Sequence, residues 1–296
     1  MSDKRLRNWK AFCKYVRKSE EERKANKWRG VYWRGQSDPS WKLASQFERI
    51  IVVDNEGWEK SQGHSPKESY KKHVQPHQKT GFYRKRRQKY LRDFQWAATR
   101  LRRKRLIGKI PQPSDSKGWW ALGQHYGLIT PLLDWSEDPY VAAFMALKDL
   151  FDNEKRGNKI KTSIDERGNK KTEMSFDVVL YRLVDDRGLQ GNGLKVVRRR
   201  RINSSPRENA QKGAFTWLDS DRYFELQGFL KAQGKRKLLT KITICGQALL
   251  EGVRDVWGDD ANINHLSMFP DIIGATLYAN LVNDPLYLAV AGNQIQ

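Results

Sequence analysis

Cysteine is almost missing from this sequence: Cys13 and Cys245 are the only two in 296 residues. They lie far apart, so neither a disulfide framework nor a paired-cysteine zinc site is suggested, and a reducing compartment fits best. Long apolar runs are missing too. The first residues, MSDKRLRNWKAF, are charged throughout and lack the apolar stretch of a signal peptide, and no later segment reaches membrane-spanning length. The expectation is a cytoplasmic protein without a membrane partner. There is no GxxxxGK[ST], no GxGxxG and no GxSxG, which takes support from P-loop ATPase, dinucleotide-binding dehydrogenase and serine-hydrolase readings. Acidic residues are scarce beside basic ones, 34 Asp and Glu against 56 Lys and Arg, for a formal charge of +22.

That surplus exceeds what solubility needs and creates a broad positive potential, so an acidic polymer is the expected partner. The 11 Trp favour a nucleic acid, because rings stack on unpaired bases while cations hold phosphates. The competing reading is a cationic surface with its aromatics buried in the core. The length is enough to bury a substantial core, and we read one elaborated domain over residues 29–296, preceded by an N-terminal helical cap at 1–28 and carrying a basic insertion at about 54–113.

Trp9, Phe12, Cys13 and Val16 recur at helical spacing within residues 3–28, as in an amphipathic helix. The segment VYWRGQSDPSWKL, Val31 to Leu43, begins with β-favouring residues and breaks at Gly35 and Pro39, which places Arg34 at a strand's end. From Lys85 to Leu106, Tyr90, Leu91, Phe94, Ala98 and Leu101 fit one helical face and leave many cations outside. Such a helix is either a solvated surface or a phosphate-contacting element; Arg84, Lys85, Arg86, Arg87, Arg102, Arg103, Lys104 and Arg105 are its candidate ligands. In SEDPYVAAFMALKDLF, Asp138 can cap a helix that Pro139 begins, which puts the motif just before it on a loop. FDVVLYRLV and LLTKITICG read as strands, and residues 152–172 as a polar stretch between elements. The fold class expected is α+β with a mixed or mainly antiparallel sheet and helical decorations.

Four segments, YWRGQ at 32–36, GQHYGLITPLLDW at 123–135, AQKGAFT at 210–216 and MFPDIIGATLY at 268–278, resemble the motifs of FRG domains in the same order. Their layout also resembles ADP-ribosyltransferases, in which an early strand supplies a cation to the dinucleotide, a middle segment shapes the nicotinamide pocket and a late acid supports glycosidic cleavage. The resemblance implies a sheet core of that type and NAD as co-substrate, with no metal. It makes Arg34 the early cation, holding a phosphate or ribose, with Gly35, Gln36 and Gln124 beside it in the dinucleotide site. His125 would hydrogen-bond ribose, Tyr126 stack on nicotinamide, and Asp134 orient Arg34 or stabilise positive charge on the sugar. Each of these side chains has a plainer alternative as a satisfied structural group, Arg34 by pairing with Asp134. Gln211 stands where the late acid is expected, a departure, since an amide brings no negative charge; Glu225 is a weak substitute.

Together these readings describe an ADP-ribosyltransferase-like toxin or phage-defence effector that modifies nucleic acid, single-stranded RNA ahead of DNA, with a neutralising antitoxin protein as a further partner. The rival is a non-catalytic nucleic-acid-binding module, and a lesser one a metal-dependent nuclease using Asp134, Glu137 and Asp138. Asp138 is better explained as a cap, and His64, His73 and His77 lie among cations that suit a solvated loop better than a metal.

Overall fold

The computed structural model describes residues 2–49, 82–104, 110–147, 160–164, 170–174, 176–191, 193–198, 209–220, 223, 225–245, 248, 252, 263–270 and 275–279. In chain order these include β1 (Ser2–Leu6), α1 (Trp9–Ala25), β2 (Gly30–Gln36), α2 (Phe82–Arg103), α3 (Ser116–His125), β3 (Leu132–Ser136) and α4 (Pro139–Leu147). There follow β4 (Ile160–Ile164), β5 (Lys170–Met174), β6 (Asp177–Asp185), β7 (Leu194–Arg198), β8 (Gly213–Leu218), α5 (Leu226–Ala232), β9 (Leu239–Cys245) and α6 (His265–Met268). Seven strands form one sheet in the order β1-β9-β6-β2-β3-β8-β7. Only β1 and β9 run parallel; each other neighbouring pair in it is antiparallel. The fold is therefore α+β with a mixed sheet, and β4 and β5 pair separately.

Both faces of the sheet centre are apolar, which explains why β6 reads as a continuous hydrophobic run rather than an alternation. Val178 and Leu180 join Val31, Trp33, Ile242 and Ile244 under α1 and α4, where Trp9, Phe12 and Phe144 are buried. Val179, Tyr181 and Leu183 join Tyr32, Leu43 and Leu239 under α5, with Leu226, Phe229 and Leu230. Fully burying one such aliphatic or Phe side chain contributes about 1.5–3 kcal/mol.

Three expectations are corrected by these elements. Ser2–Leu6 is an edge strand rather than part of a helix, because the apolar periodicity begins only at Trp9 and the Asn8 side chain caps the helix there, accepting from the Ala11 N–H at 2.8 Å. The polar stretch at 152–172 contains β4 and the start of β5. Asp134 sits on a strand instead of a loop, since Leu132–Ser136 pairs residue for residue with β8. The cap at Asp138 is as expected: its Oδ1 accepts from the Tyr140 and Val141 N–H groups at 2.8 and 3.4 Å.

Helix α2 is fastened by its apolar stripe. Tyr90 meets Phe47 edge-on at 5.5 Å, Phe94 meets Trp119 at 5.8 Å, and Ala98 is buried. Leu101, expected on that face, is 43% exposed. Arg87 is turned inward, buried, and donates to the Leu218 carbonyl at 3.2 Å, so it is not placed to meet a phosphate. Arg84, Lys85, Arg102, Arg103 and Lys104 are exposed and Arg86 is half-buried; Arg105, like His64, His73 and His77, lies outside the described residues.

Beside Arg87 is Glu48, whose burial pushes its carboxyl up to about 8 despite the nearby guanidinium and the local backbone N–H groups. A carboxyl held above its ordinary value favours the fold while protonated, so this contribution is complete in acid and is lost as pH rises through about 8. Between pH 5 and pH 9 the wild type is expected to lose thermal stability relative to Glu48→Gln, which keeps the neutral form throughout. Parallel Tm profiles for the two proteins overturn the assignment.

Candidate active site

The sheet has a weak seam between β2 and β3. Neighbouring strands elsewhere in it share five or seven residue pairs, whereas β2 and β3 share one, Trp33 with Ser136. Residues on both sides of this seam, 33–36 and 134–136, line a cavity of about 410 Å³, within the range of small-molecule sites. The end of α3 contributes Gln124 and His125, α4 contributes Val141, Ala142 and Met145, and Gln211 and Phe269 complete the far wall.

The sequence builds this seam locally. A Cβ at Gly35 would lie 1.9 Å from the Ala142 carbonyl oxygen, so only glycine lets α4 cross β2 this closely. The turn before β8 closes it from the other side: Lys212 adopts φ 46° and its backbone carbonyl accepts from the Glu137 N–H at 2.9 Å. The Lys212 ammonium pairs with the capping Asp138 at 2.7 Å, and Ser136 Oγ donates to the Gln211 carbonyl at 2.8 Å.

Polar groups on the cavity wall are held by one another. Arg34 Nη1 donates to the backbone carbonyl of Asp134 at 2.9 Å, while Arg34 Nε is buried without a hydrogen-bond partner. Burial is the main influence on this guanidinium and pushes its pKa down; the Asp134 carboxylate opposes it, and Arg49 adds to the depression. Gln36, 3% exposed, has a side-chain oxygen equally without a partner. Orphaned buried polar atoms cost about 1–3 kcal/mol each, and here two lie on alternate residues of β2, both lining the same cavity.

A relay fixes the carboxylate. The Leu132 N–H donates to Thr130 Oγ1 at 3.3 Å, Thr130 donates to the Gln124 side-chain oxygen, and Gln124 Nε2 donates to Asp134 Oδ1. Gln124, named from sequence as a cofactor contact, is thereby also the support of Asp134.

Of the residues singled out from sequence, Arg34, Gly35, Gln36, Gln124, His125, Asp134 and Gln211 share this cavity. Tyr126 does not line it: it follows the last turn of α3, is 75% exposed, and meets the His125 ring edge-on at 4.8 Å. Gln211 Nε2 is engaged with the Met268 carbonyl at 3.0 Å. Glu225 is not among the residues that line the cavity and forms an ion pair with Lys42 at 2.6 Å. Among the described residues no group of His, Cys, Asp and Glu is arranged to hold a metal. Sequence reasoning missed the aromatic wall of Trp33, Trp41, Trp135, Phe215 and Phe269. The signal was present, since each quoted motif around the cavity carries such a ring, but nothing in one sequence distinguishes a wall ring from a core ring.

Two substitutions test the geometry without reference to any reaction. Gly35→Ala must push α4 off β2 and is expected to cost about 3 kcal/mol of stability, read as a lower urea midpoint; an unchanged midpoint contradicts the close approach. Thr130→Val keeps the shape but breaks the relay. Its expected signature is a raised Asp134 carboxyl pKa by NMR in a folded protein, and an unmoved pKa removes the relay from the account.

No curated protein and no solved structure matches the chain. A family comparison does give a result, and it reaches from the entry to β2 past the end of α4, leaving the segments around Gln211 and Phe269 outside. Residues 29–155, which carry Arg34, Gln36, Gln124, His125 and Asp134, match the family model of the FRG domain.

Proposed function

We propose that the cavity binds NAD and that the protein transfers ADP-ribose from it to nucleic acid, with single-stranded RNA the favoured acceptor. The observation that carries this reading is the meeting of a desolvated guanidinium, a supported carboxylate, an imidazole and three amides in one aromatic-walled cavity. Its 410 Å³ suits the nicotinamide and ribose half of the dinucleotide, with the adenosine half outside it. The unpaired Arg34 Nε and Gln36 oxygen supply one donor and one acceptor, the pattern that phosphate oxygens and ribose hydroxyls satisfy.

In this scheme the glycosidic C–N bond breaks with its electron pair leaving on nicotinamide. Positive charge then grows on the ribose, and the Asp134 carboxylate, held in place by Gln124, stabilises it. A nucleophilic oxygen or nitrogen of the acceptor attacks the anomeric carbon and gives its proton to solvent. Arg34 neutralises phosphate and His125 hydrogen-bonds a ribose hydroxyl. The ring-stacking role first given to Tyr126 passes to the aromatic wall. Gln211, with its amide on Met268, holds the far wall in place rather than replacing a catalytic acid.

The acceptor follows from the +22 charge and the exposed cations of α2. Those cations also favour a second reading, a binding module without chemistry. Unrestrained transfer to RNA harms a cell, so the proposal extends to a toxin or phage-defence role in the cytoplasm with a neutralising protein partner.

Purified protein incubated with labelled NAD and, separately, single-stranded RNA, single-stranded DNA and mixed cellular protein is expected to label RNA most. Arg34→Ala and Asp134→Asn should each lower the rate by about a hundredfold or more, with the fold retained by circular dichroism. Folded wild-type protein that neither transfers label nor releases nicotinamide overturns the reading in favour of the binding module.

A further inference from the structure

Helix α2 is as notable on its outer face as on its anchored one. Arg92, Trp96, Arg100 and Arg103 follow at spacings of four, four and three residues, which places them along one side of a helix, and all four are exposed. Trp96 is 64% exposed, whereas Trp33, Trp119, Trp120 and Trp135 are each under 5%. The Arg100 guanidinium lies over the Trp96 ring, 4.7 Å from its centroid. The helix contains a single acidic residue, Asp93, and Lys89 pairs with it at 2.6 Å.

An indole left in water within a row of guanidiniums is poor design for a merely solvated face, since cations alone give solubility. It suits one class of ligand. We propose that this face of α2 is a base-stacking platform for unpaired nucleotides, with Trp96 as the stacking ring and Arg92, Arg100 and Arg103 on the flanking phosphates. At 1.5 Å rise per residue, Arg92 to Arg103 spans about 16 Å, enough for a short run of single strand. A duplex is denied the stacking contact, because a paired base offers its flat face to its neighbours in the stack rather than to a side chain, and binds through its phosphates alone. Every base has a π-face, so the platform reads strandedness and not sequence. The inference rests on the proposed function only in making the bound strand the acceptor; the binding itself needs no NAD.

The test is affinity for a fluorescent single-stranded 12-mer without NAD, by anisotropy at several salt concentrations, using RNA, DNA of matched sequence and the corresponding duplex. Wild type is expected to prefer both single strands over the duplex. Trp96→Ala should weaken single-strand binding about tenfold to a hundredfold with an unchanged salt slope, and Trp96→Phe should recover most of it. Arg92→Gln with Arg103→Gln should instead flatten the log–log salt slope, by about 0.7 for each phosphate no longer neutralised. No measurable binding by wild type, or Trp96→Ala equal to wild type on single strands, overturns the platform. Nicotinamide release without acceptor should be the same in Trp96→Ala and wild type, so failure of the platform and failure of the cavity's chemistry are read separately.

Discussion

The close crossing of α4 over β2 is the constraint on which the rest of this molecule depends. The Ala142 carbonyl oxygen occupies the space that a side chain at position 35 needs, and the helix is held there at its start by Asp138 and along its length by Val141, Phe144 and Leu147 in the core. With α4 so near, β2 keeps its full ladder with β6 and only one pair with β3. The cavity is the consequence. Arg34 is laddered to β6 and Asp134 to β8, but the missing pairs between β2 and β3 leave both side chains on the wall of an open space.

That seam also explains why charge is tolerated there. A guanidinium deprived of water is costly unless a partner is fixed nearby, and here the partner cannot swing away. Asp134 is gripped by Gln124, Gln124 by Thr130, and Thr130 by the backbone at Leu132. The chain from a backbone N–H to a carboxylate uses residues from a turn, a helix end and a strand, so the electrostatics of the wall are set by three elements at once. Arg34 and Gln36 still keep one unpaired polar atom each.

How much of this was readable in one dimension differs by element. The apolar runs of β6 and β9 and the helical spacing of Trp9, Phe12 and Val16 in α1 were readable because these elements pack directly on the core, and the helix start at Asp138–Pro139 was legible because capping is local chemistry. Edge strand β1 was not legible: SDKRL has no apolar alternation, and its strand state comes from a ladder with residues 240–244, far away in sequence. Arg87 reads as one more cation in a basic run, yet it is buried against Leu218 and Glu48, two partners that only the fold brings near. The polar side of the candidate site was legible because Arg, His, Gln and Asp are unusual in such segments. Its aromatic side was not, because a Trp or Phe in an apolar context predicts burial and says nothing about which surface it faces.

Helix α3 joins helix α2 to the cavity. At its middle, Trp119 receives Phe94 of α2; at its end, Gln124 and His125 meet the cavity. Its N-terminus is fixed by Asp115, which accepts from the Gly118 N–H at 2.9 Å, and by the Trp119 indole donating to the Gln112 carbonyl at 2.9 Å. A Cβ at Gly118 would collide with the Asp115 carboxylate, so the cap and the glycine require each other. The helix is only 10 residues long, about 15 Å, and buried through Trp119, Trp120 and Ala121. Helix α2 is thus tied to the wall carboxylate through one short helix, with Phe94 on Trp119 at one point and Gln124 on Asp134 at the other. On the transfer reaction proposed above, a strand bound at α2 would gain from sharing one domain with Asp134, because orientation supplied by the scaffold is entropy the reaction does not have to lose.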